Sequence, residues 1–244
     1  MKLILKQETK TSNGVLSKGI YKDENNVNYL VKGTTFGGYE AVSEVIAYNV
    51  ACALGLSCVE YKIKSGKEYP EVNTDSYVSV CKFDKTPHGY QHLSAIKLME
   101  LYYKREINED YWGLFTDMFD YPKDILDMLV FDAIIGNNDR HLNNWDYYVF
   151  QGENGLMFKQ TPIFDNGSSL VPDCDISKPF KSTHKLQTEL IKKRYPYYKL
   201  DIVGDVNELL DKIEPYLWLI PENRGIAVKE YLRERYIRYT EMFL

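Results

Sequence analysis

The stretch Ile134-Ile135-Gly136-Asn137-Asn138-Asp139-Arg140-His141-Leu142-Asn143-Asn144 carries an apolar run straight into a cluster of Asn, Asp, Arg and His. Further on, Pro162-Ile163-Phe164-Asp165-Asn166-Gly167-Ser168-Ser169 reads as a second apolar strand that ends in Asp-Asn-Gly. Each half delivers carboxylate and amide oxygens to the end of a buried element. Fixed hard oxygens of this kind suit a Mg²⁺-phosphate site. The same residue types also make good capped turns, so the choice between chemistry and ordinary loops depends on what else the chain brings.

Between the two halves, Tyr147-Tyr148-Val149-Phe150 and Leu156-Met157-Phe158-Lys159 flank Gly152-Glu153-Asn154-Gly155. This is a hairpin pattern, and it returns Asp165 to the side of the first cluster. Upstream, Asp124 can cap a helix through Ile125 and Leu126 to Ile135. That helix is apolar nearly all round and is therefore expected to be buried. Helices are also expected over Ser94–Arg105, Asn108–Phe119, 205–219 and 225–243, with Pro215 inside the third of these and Pro221 before the last. The run with Lys181, His184, Lys185, Lys192, Lys193, Arg194 and Lys199 reads as a solvated face.

The first part of the chain has a different texture. Gly19-Ile20-Tyr21-Lys22 and Asn28-Tyr29-Leu30-Val31-Lys32 flank Asp23-Glu24-Asn25-Asn26, a hairpin signal. Val42, Val45, Ile46, Asn49, Val50, Ala53 and Leu54 recur at helical spacing over 39–55, with Gly55 as a C-terminal cap. Cys58–Ile63 and Tyr77–Phe83 alternate as strands, and 64–75 is a polar loop. A linker-like Asp84-Lys85-Thr86-Pro87-His88-Gly89 follows. The expected organisation is α+β in two lobes: residues 1–84, mostly β with one helix, and residues 85–244, mostly helical.

The 244 residues are 44% hydrophobic, enough for an ordinary core, and the net charge of −5 argues against nucleic acid as a main partner. Cys52, Cys58, Cys81 and Cys174 are scattered, without CxxC or Cys/His metal spacing. With no signal peptide evident, they read as free thiols in a reducing, cytoplasmic compartment. No window is apolar for the length of a membrane span.

Phosphoryl transfer asks little covalent work of a protein: positioning, charge neutralisation, and an acceptor for the attacking hydroxyl's proton. One Asp must face that hydroxyl, and a second Asp with an amide oxygen must hold metal. A lysine should touch the non-transferred phosphates, held by a glutamate on a neighbouring helix. Lys32, Glu44, Asp139, Asn144 and Asp165 supply these in order. By the bland reading Lys32 is a solvated strand-end residue, and Glu40 and Glu44 complement a helix dipole. Arg140 and His141 are expected to brace the loop. The i, i+4 pair His88 and His92 lacks a helix and a partnered Glu, so it is read as coincidence. No GxSxG is present for a hydrolase triad.

In order and spacing over roughly residues 28–170, the chain resembles the HipA-like serine/threonine kinases. Tyr29-Leu30-Val31-Lys32 is similar to that family's strand ending in the ATP-contacting lysine, and Ser43-Glu44-Val45 through Gly55-Leu56 to its following helix. Gly136 through Trp145 is similar to its catalytic loop, and Thr161 through Asp165 to its metal-binding segment. The resemblance implies a protein kinase-like fold with a small N-lobe and a larger helical C-lobe. It implies Asp139 at the acceptor hydroxyl, Asn144 and Asp165 as Mg²⁺ ligands, and Lys32 with Glu44 at the ATP phosphates. It places backbone groups of Cys81, Lys82 and Phe83 against adenine, and Ser12, Asn13, Gly14, Ser17 and Lys18 over the phosphates, although the spacing of that loop departs from the family's. It implies a Ser/Thr protein acceptor and an ability to autophosphorylate, with a serine of the 12–17 loop left open as the acceptor. Larger members carry an extra N-terminal domain that binds an antitoxin. Here Lys32 comes too early for one, so an inhibitor or antitoxin protein stays open as a partner, as does delivery to another cell. A transferase acting on a small molecule or lipid headgroup, and an ATP-binding pseudokinase, are the alternatives.

Overall fold

The structure is a computed structural model that describes residues 2–7, 17–34, 38–72, 76–83, 86, 88–107, 123–153, 155–170 and 183–243. The helix expected over Asn108–Phe119, most of the 12–18 loop and Cys174 lie outside these residues.

Strands β1 (Lys2–Gln7), β2 (Lys18–Lys22), β3 (Asn28–Lys32), β4 (Tyr61–Ser65) and β5 (Tyr77–Lys82) form an antiparallel sheet in the order β1-β2-β3-β5-β4. The β2–β3 turn closes because Asp23 Oδ1 accepts the Asn25 and Val27 amides, each at 2.9 Å, and Asn26 takes φ 62. The pleat then sorts side chains by parity. Val31 and Val80, paired across β3 and β5, face a cluster with Tyr21, Tyr69, Val72 and Val78. Leu30, Lys32 and Cys81 take the opposite face with Tyr61 of β4, and there Val45 of helix α1 (Tyr39–Ala53) packs. A one-residue slip in β3 would turn Lys32 away from α1.

Helix α1 ends in a Schellman motif. Gly55 has φ 68, its N–H donates to the Cys52 carbonyl at 3.1 Å, and the Leu56 N–H donates to the Ala51 carbonyl at 2.8 Å. The polar 64–75 loop is shortened by the end of β4 and by a 3-10 turn at Gly66–Glu68.

Strand β6 (Tyr90–Ser94) was not expected from sequence: its residues pair antiparallel with β7 (Asp146–Gly152), which pairs with β8 (Gly155–Gln160). Ser94 therefore ends a strand, and its hydroxyl caps helix α2 (Ala95–Tyr103) by accepting the Lys97 amide at 3.3 Å. The Pro162–Asp165 segment is likewise not a full strand. It makes one parallel bridge, with Ile163 N–H donating to Ser57 O at 2.8 Å and Val59 N–H to Ile163 O at 2.9 Å.

Helix α3 (Lys123–Ile135) is buried from Ile125 to Ile135. Helices α4 (Thr183–Arg194), α5 (Val206–Leu217, with Pro215 inside) and α6 (Glu222–Met242) follow; α1, α4 and α6 pack against α3, and α5 packs against α1 and α6, in one core that includes Phe131, Trp145, Ile213 and Leu232. No helix among the described residues is long and apolar enough to cross a membrane.

Candidate active site

Helix α3 hands its chain to the Asn/Asp cluster through a second Schellman-type end. Gly136 takes φ 66, and the Asn137 N–H donates back to the Asp132 carbonyl at 3.0 Å. A side chain at Gly136 would collide with the Tyr231 hydroxyl of α6 as well as strain the backbone. Past this turn Asn137, fully buried, accepts the Asp139 amide on its Oδ1 at 3.0 Å. The Asp139 carbonyl accepts His141 N–H at 3.0 Å and Asn144 Nδ2 at 3.1 Å. The backbone of Asp139 is therefore pinned on both sides while its side chain faces solvent. His141 accepts the Asn143 amide on Nδ1 at 3.2 Å, so it shapes the loop it belongs to.

Arg140 is buried, and its guanidinium has five N–H donors to satisfy. Nε donates to Asp132 Oδ2 at 2.9 Å, and one Nη2 hydrogen to Asp132 Oδ1 at 3.0 Å. Nη1 reaches the carbonyls of Asn144 and Phe164, both at 2.8 Å, and Nη2 also reaches Asn166 Oδ1 at 2.6 Å. A single side chain thus joins α3, the 137–144 loop and the segment before Asp165. Ion pairing with Asp132 offsets the cost of burying its charge.

Asp165 itself stands in the left-handed region at φ 59, an uncommon conformation for a non-glycine residue. Its Oδ1 accepts Lys32 Nζ at 2.7 Å, and the same Nζ donates to Glu44 Oε1 at 2.8 Å. Lys32 also lies over the Tyr61 ring, 5.1 Å from its centroid. Burial opposes the Lys32 charge, but Glu44, Tyr61 and Asp165 outweigh it, so the ammonium is held well above its ordinary range. Burial pushes the Glu44 carboxyl up, whereas Lys32 and the Asn166 amide stabilise its ionised form. Burial would also raise Asp165, but Lys32 first, then Lys18 and Arg140, bring it below the usual carboxylate value. Partial desolvation raises Asp139, helped by the charge of Asp165 and opposed by His141 and Arg140.

Lys32, Glu44 and Asp165 therefore meet directly, and Asp139 lies within electrostatic reach of Asp165. Lys32 is buried, not a solvated strand end. Lys18 pairs with Lys32 across β2–β3, and the Ser17 carbonyl accepts the Gly33 amide at 2.8 Å, so this end of the 12–18 loop adjoins the site. Ser12, Asn13 and Gly14 lie outside the described residues. Cys81 is buried on the Lys32 face of the sheet, while Lys82 and Phe83 are exposed. The Phe83 N–H is committed to the Asn28 carbonyl at 2.8 Å, which removes it as a donor to a base.

Three participants escaped the sequence reading: Asp132, Asn137 and Asn166. Asp132 had a signal, since an acidic residue inside an otherwise apolar helix needs a partner. Asn166 had none beyond its place in a turn-forming triplet.

Two oxygen donors, Asp165 and Asn144, suit a Mg²⁺ that shares a nucleotide's phosphates. Asn144 spends its Nδ2 on its own loop, so Oδ1 is the side-chain oxygen it could offer a cation. Among the described residues no three His, Cys, Asp or Glu cluster into a metal cage, and Mg²⁺ bound through phosphates needs only one or two protein donors.

The serine/threonine-protein kinase CtkA of Helicobacter pylori (strain J99 / ATCC 700824) is 29% identical over 144 residues, covering 54% of this chain and 41% of that protein. The match therefore spans less than half of that relative's length. A crystal structure of a Helicobacter pylori proinflammatory kinase CtkA aligns with TM-score 0.61 at 19% identity, over 99% of this chain and 95% of that one. A chain of the Shewanella oneidensis MR-1 toxin–antitoxin complex of HipA, HipB and operator DNA aligns with TM-score 0.54 at 12% identity, over 96% of this chain and 65% of that one. These likenesses establish the fold as α+β, two-lobed and protein kinase-like. The HipA-like C-terminal domain family matches residues 1–211, and the chain belongs to that family.

Proposed function

We propose that the protein is an ATP- and Mg²⁺-dependent serine/threonine protein kinase that can phosphorylate itself. The observation that carries this reading is the meeting of Lys32, Glu44 and Asp165 beside the exposed carboxylate of Asp139. In this reading residues 1–84 and 85–244 form the two lobes, and ATP lies between them. Lys32 holds phosphate oxygens and Glu44 keeps the lysine in place. The acceptor's hydroxyl oxygen attacks the γ-phosphorus, the bond from that phosphorus to the β–γ bridging oxygen breaks, and ADP leaves. The hydroxyl proton passes to Asp139, whose raised pKa makes it a better acceptor than an ordinary aspartate. Asn144 and Asp165 would hold Mg²⁺, which when bound neutralises charge on the phosphates.

The Ser/Thr acceptor is supported by the name of the CtkA relative, and an antitoxin-like inhibitor by the HipA–HipB complex. The reduced cysteines Cys52, Cys58 and Cys81 fit action in the cytoplasm. The test is label transfer from γ-labelled ATP with Mg²⁺, comparing wild type, Asp139→Ala and Asp165→Ala. Label on wild-type protein and its loss in both variants is expected, and equal incorporation in all three ends the kinase reading. Label that appears only in a small product ends the protein-acceptor part of it.

A further inference from the structure

We infer that Asn166 is a positioning residue, coupling the Lys32–Glu44 pair to the loop that carries Asp139. Its consequence for rate rests on the kinase reading above. Asn166 is fully buried, and its polar groups point to different parts of the site. Its N–H donates to Glu44 Oε2 at 2.8 Å, while Lys32 holds the other oxygen of the same carboxylate. Its Oδ1 accepts Arg140 Nη2 at 2.6 Å, and its Nδ2 lies 3.8 Å from the Cys58 sulfur. Its carbonyl accepts both the hydroxyl and the amide of Ser169, at 2.6 and 3.1 Å. Ser169 in turn accepts the Ser43 hydroxyl from α1 at 2.9 Å.

Two consequences follow from this wiring. Glu44 is oriented by an amide whose position depends on the Asn166 side chain being anchored on Arg140. Arg140 also holds the carbonyls of Asn144 and Phe164, which flank the Asn144 and Asp165 side chains. A shift of Asn166 therefore moves both halves of the site together. The left-handed turn at Asp165 directs the next residue's amide back toward α1, which explains why the link is made at position 166. The side chain must also be short and carry an acceptor, because a buried Arg140 Nη2 that loses its partner at 2.6 Å is left with an unsatisfied donor.

The experiment compares Asn166→Ala, which removes the acceptor, with Asn166→Asp, which keeps it at the same length. Asn166→Ser, smaller but still an acceptor, serves as the comparison if Asn166→Ala does not fold. Two readouts are taken on protein shown to be folded. The first is the reductive methylation rate of Lys32, followed by mass spectrometry against the exposed Lys62 of the same molecule; it needs no nucleotide. The rate should rise severalfold in Asn166→Ala or Asn166→Ser and stay near wild type in Asn166→Asp. An unchanged rate in the variants that lose or shorten the acceptor overturns the inference, whether or not the protein is a kinase. The second is phosphotransfer. Asn166→Ala should lower kcat by about 10- to 100-fold, the range found when outer-shell partners of a site are lost, and raise KM for ATP. Asn166→Asp should restore most of kcat. Equal loss in both variants, or a loss of stability with kcat and KM unchanged, also overturns it. A wild type that transfers no phosphate while the methylation pattern holds overturns only the kinase reading.

Discussion

Lys32 Nζ lies 2.7 Å from Asp165 Oδ1, across 133 residues of sequence, and the same ammonium lies 2.8 Å from Glu44. One cation thus serves two carboxylates of very different exposure: the Glu44 side chain is 2% exposed and that of Asp165 36%. The strength of the arrangement lies with Glu44, because water can rescue Asp165 but cannot reach Glu44.

Replacement of Lys32 by Met should therefore be costly for stability as well as for activity. Among the described residues it leaves the buried carboxylate with the Asn166 amide alone, and breaking a buried pair from one side costs about 3–5 kcal/mol. Adding Glu44→Gln should recover part of that loss, since the unpaired charge disappears. Urea unfolding of both single variants and the double variant checks this; additive losses would show that the two side chains are not coupled.

With Asp139 as the base proposed above, its raised pKa should set the acid limb of the rate. A base must be ionised, and desolvation delays ionisation to higher pH. The acid limb of kcat/KM should fall above the ordinary aspartate value of about 3.9. Asp165 titrates below its usual value, so it does not define that limb. Asp139→Asn should lower kcat by about 10²- to 10⁴-fold, the usual worth of a general base, and abolish the limb. A pH–rate series on wild type and variant measures both effects.

Asp132 has no role in the transfer proposed above, yet its two oxygens hold the Arg140 fork at 2.9 and 3.0 Å. Asp132→Ala strands a buried guanidinium and should cost about 3–5 kcal/mol. Asp132→Asn keeps one acceptor and should cost less. Chemical denaturation ranks the two, and equal stability of both variants would remove Asp132 from the brace.

A separate pH effect belongs to the small sheet. His92 Nε2 on β6 lies 2.8 Å from Asp146 Oδ2 at the start of β7. The hydrogen bond to Asp146 raises the His92 pKa over an opposing desolvation. A raised folded-state pKa means that the pair stabilises fully below the unfolded value near 6.5, and that this is lost as pH rises through the folded value. The His92 side chain is 46% exposed, so screening limits the contribution to no more than about 1 kcal/mol. Thermal midpoints at pH 6 and pH 8 should differ less in His92→Gln than in wild type.

Local chemistry was readable wherever it acts over a few residues. The Asp23–Asn26 hairpin, the Gly55 cap and the Gly136 exit from α3 depend on turn and cap preferences carried by neighbours in sequence. The burial of α3 from Ile125 to Ile135 was readable because no polar stripe interrupts its apolar residues. Strand β6 was not: Tyr90–Ser94 is short, with polar residues at several positions, and it becomes a strand because β7 supplies its partners. Pro162–Asp165 looked like a strand but makes one bridge among the described residues, with Cys58.

The sequence by itself put forward the ordered set of candidate site residues, Lys32, Glu44, Asp139, Asn144 and Asp165, through the order and spacing in which it resembles the HipA-like kinases. It also determined the change from a β-rich first part to a helical second part. Only the tertiary structure decided that Lys32 turns inward and reaches both Glu44 and Asp165, because that depends on the pleat register of β3 and on how α1 meets the 165–169 turn. It alone decided that Arg140 leans on Asp132 and Asn166. Hydrogen bonds between residues far apart in the chain leave no periodicity to read; they exist only once the core has brought their backbones together.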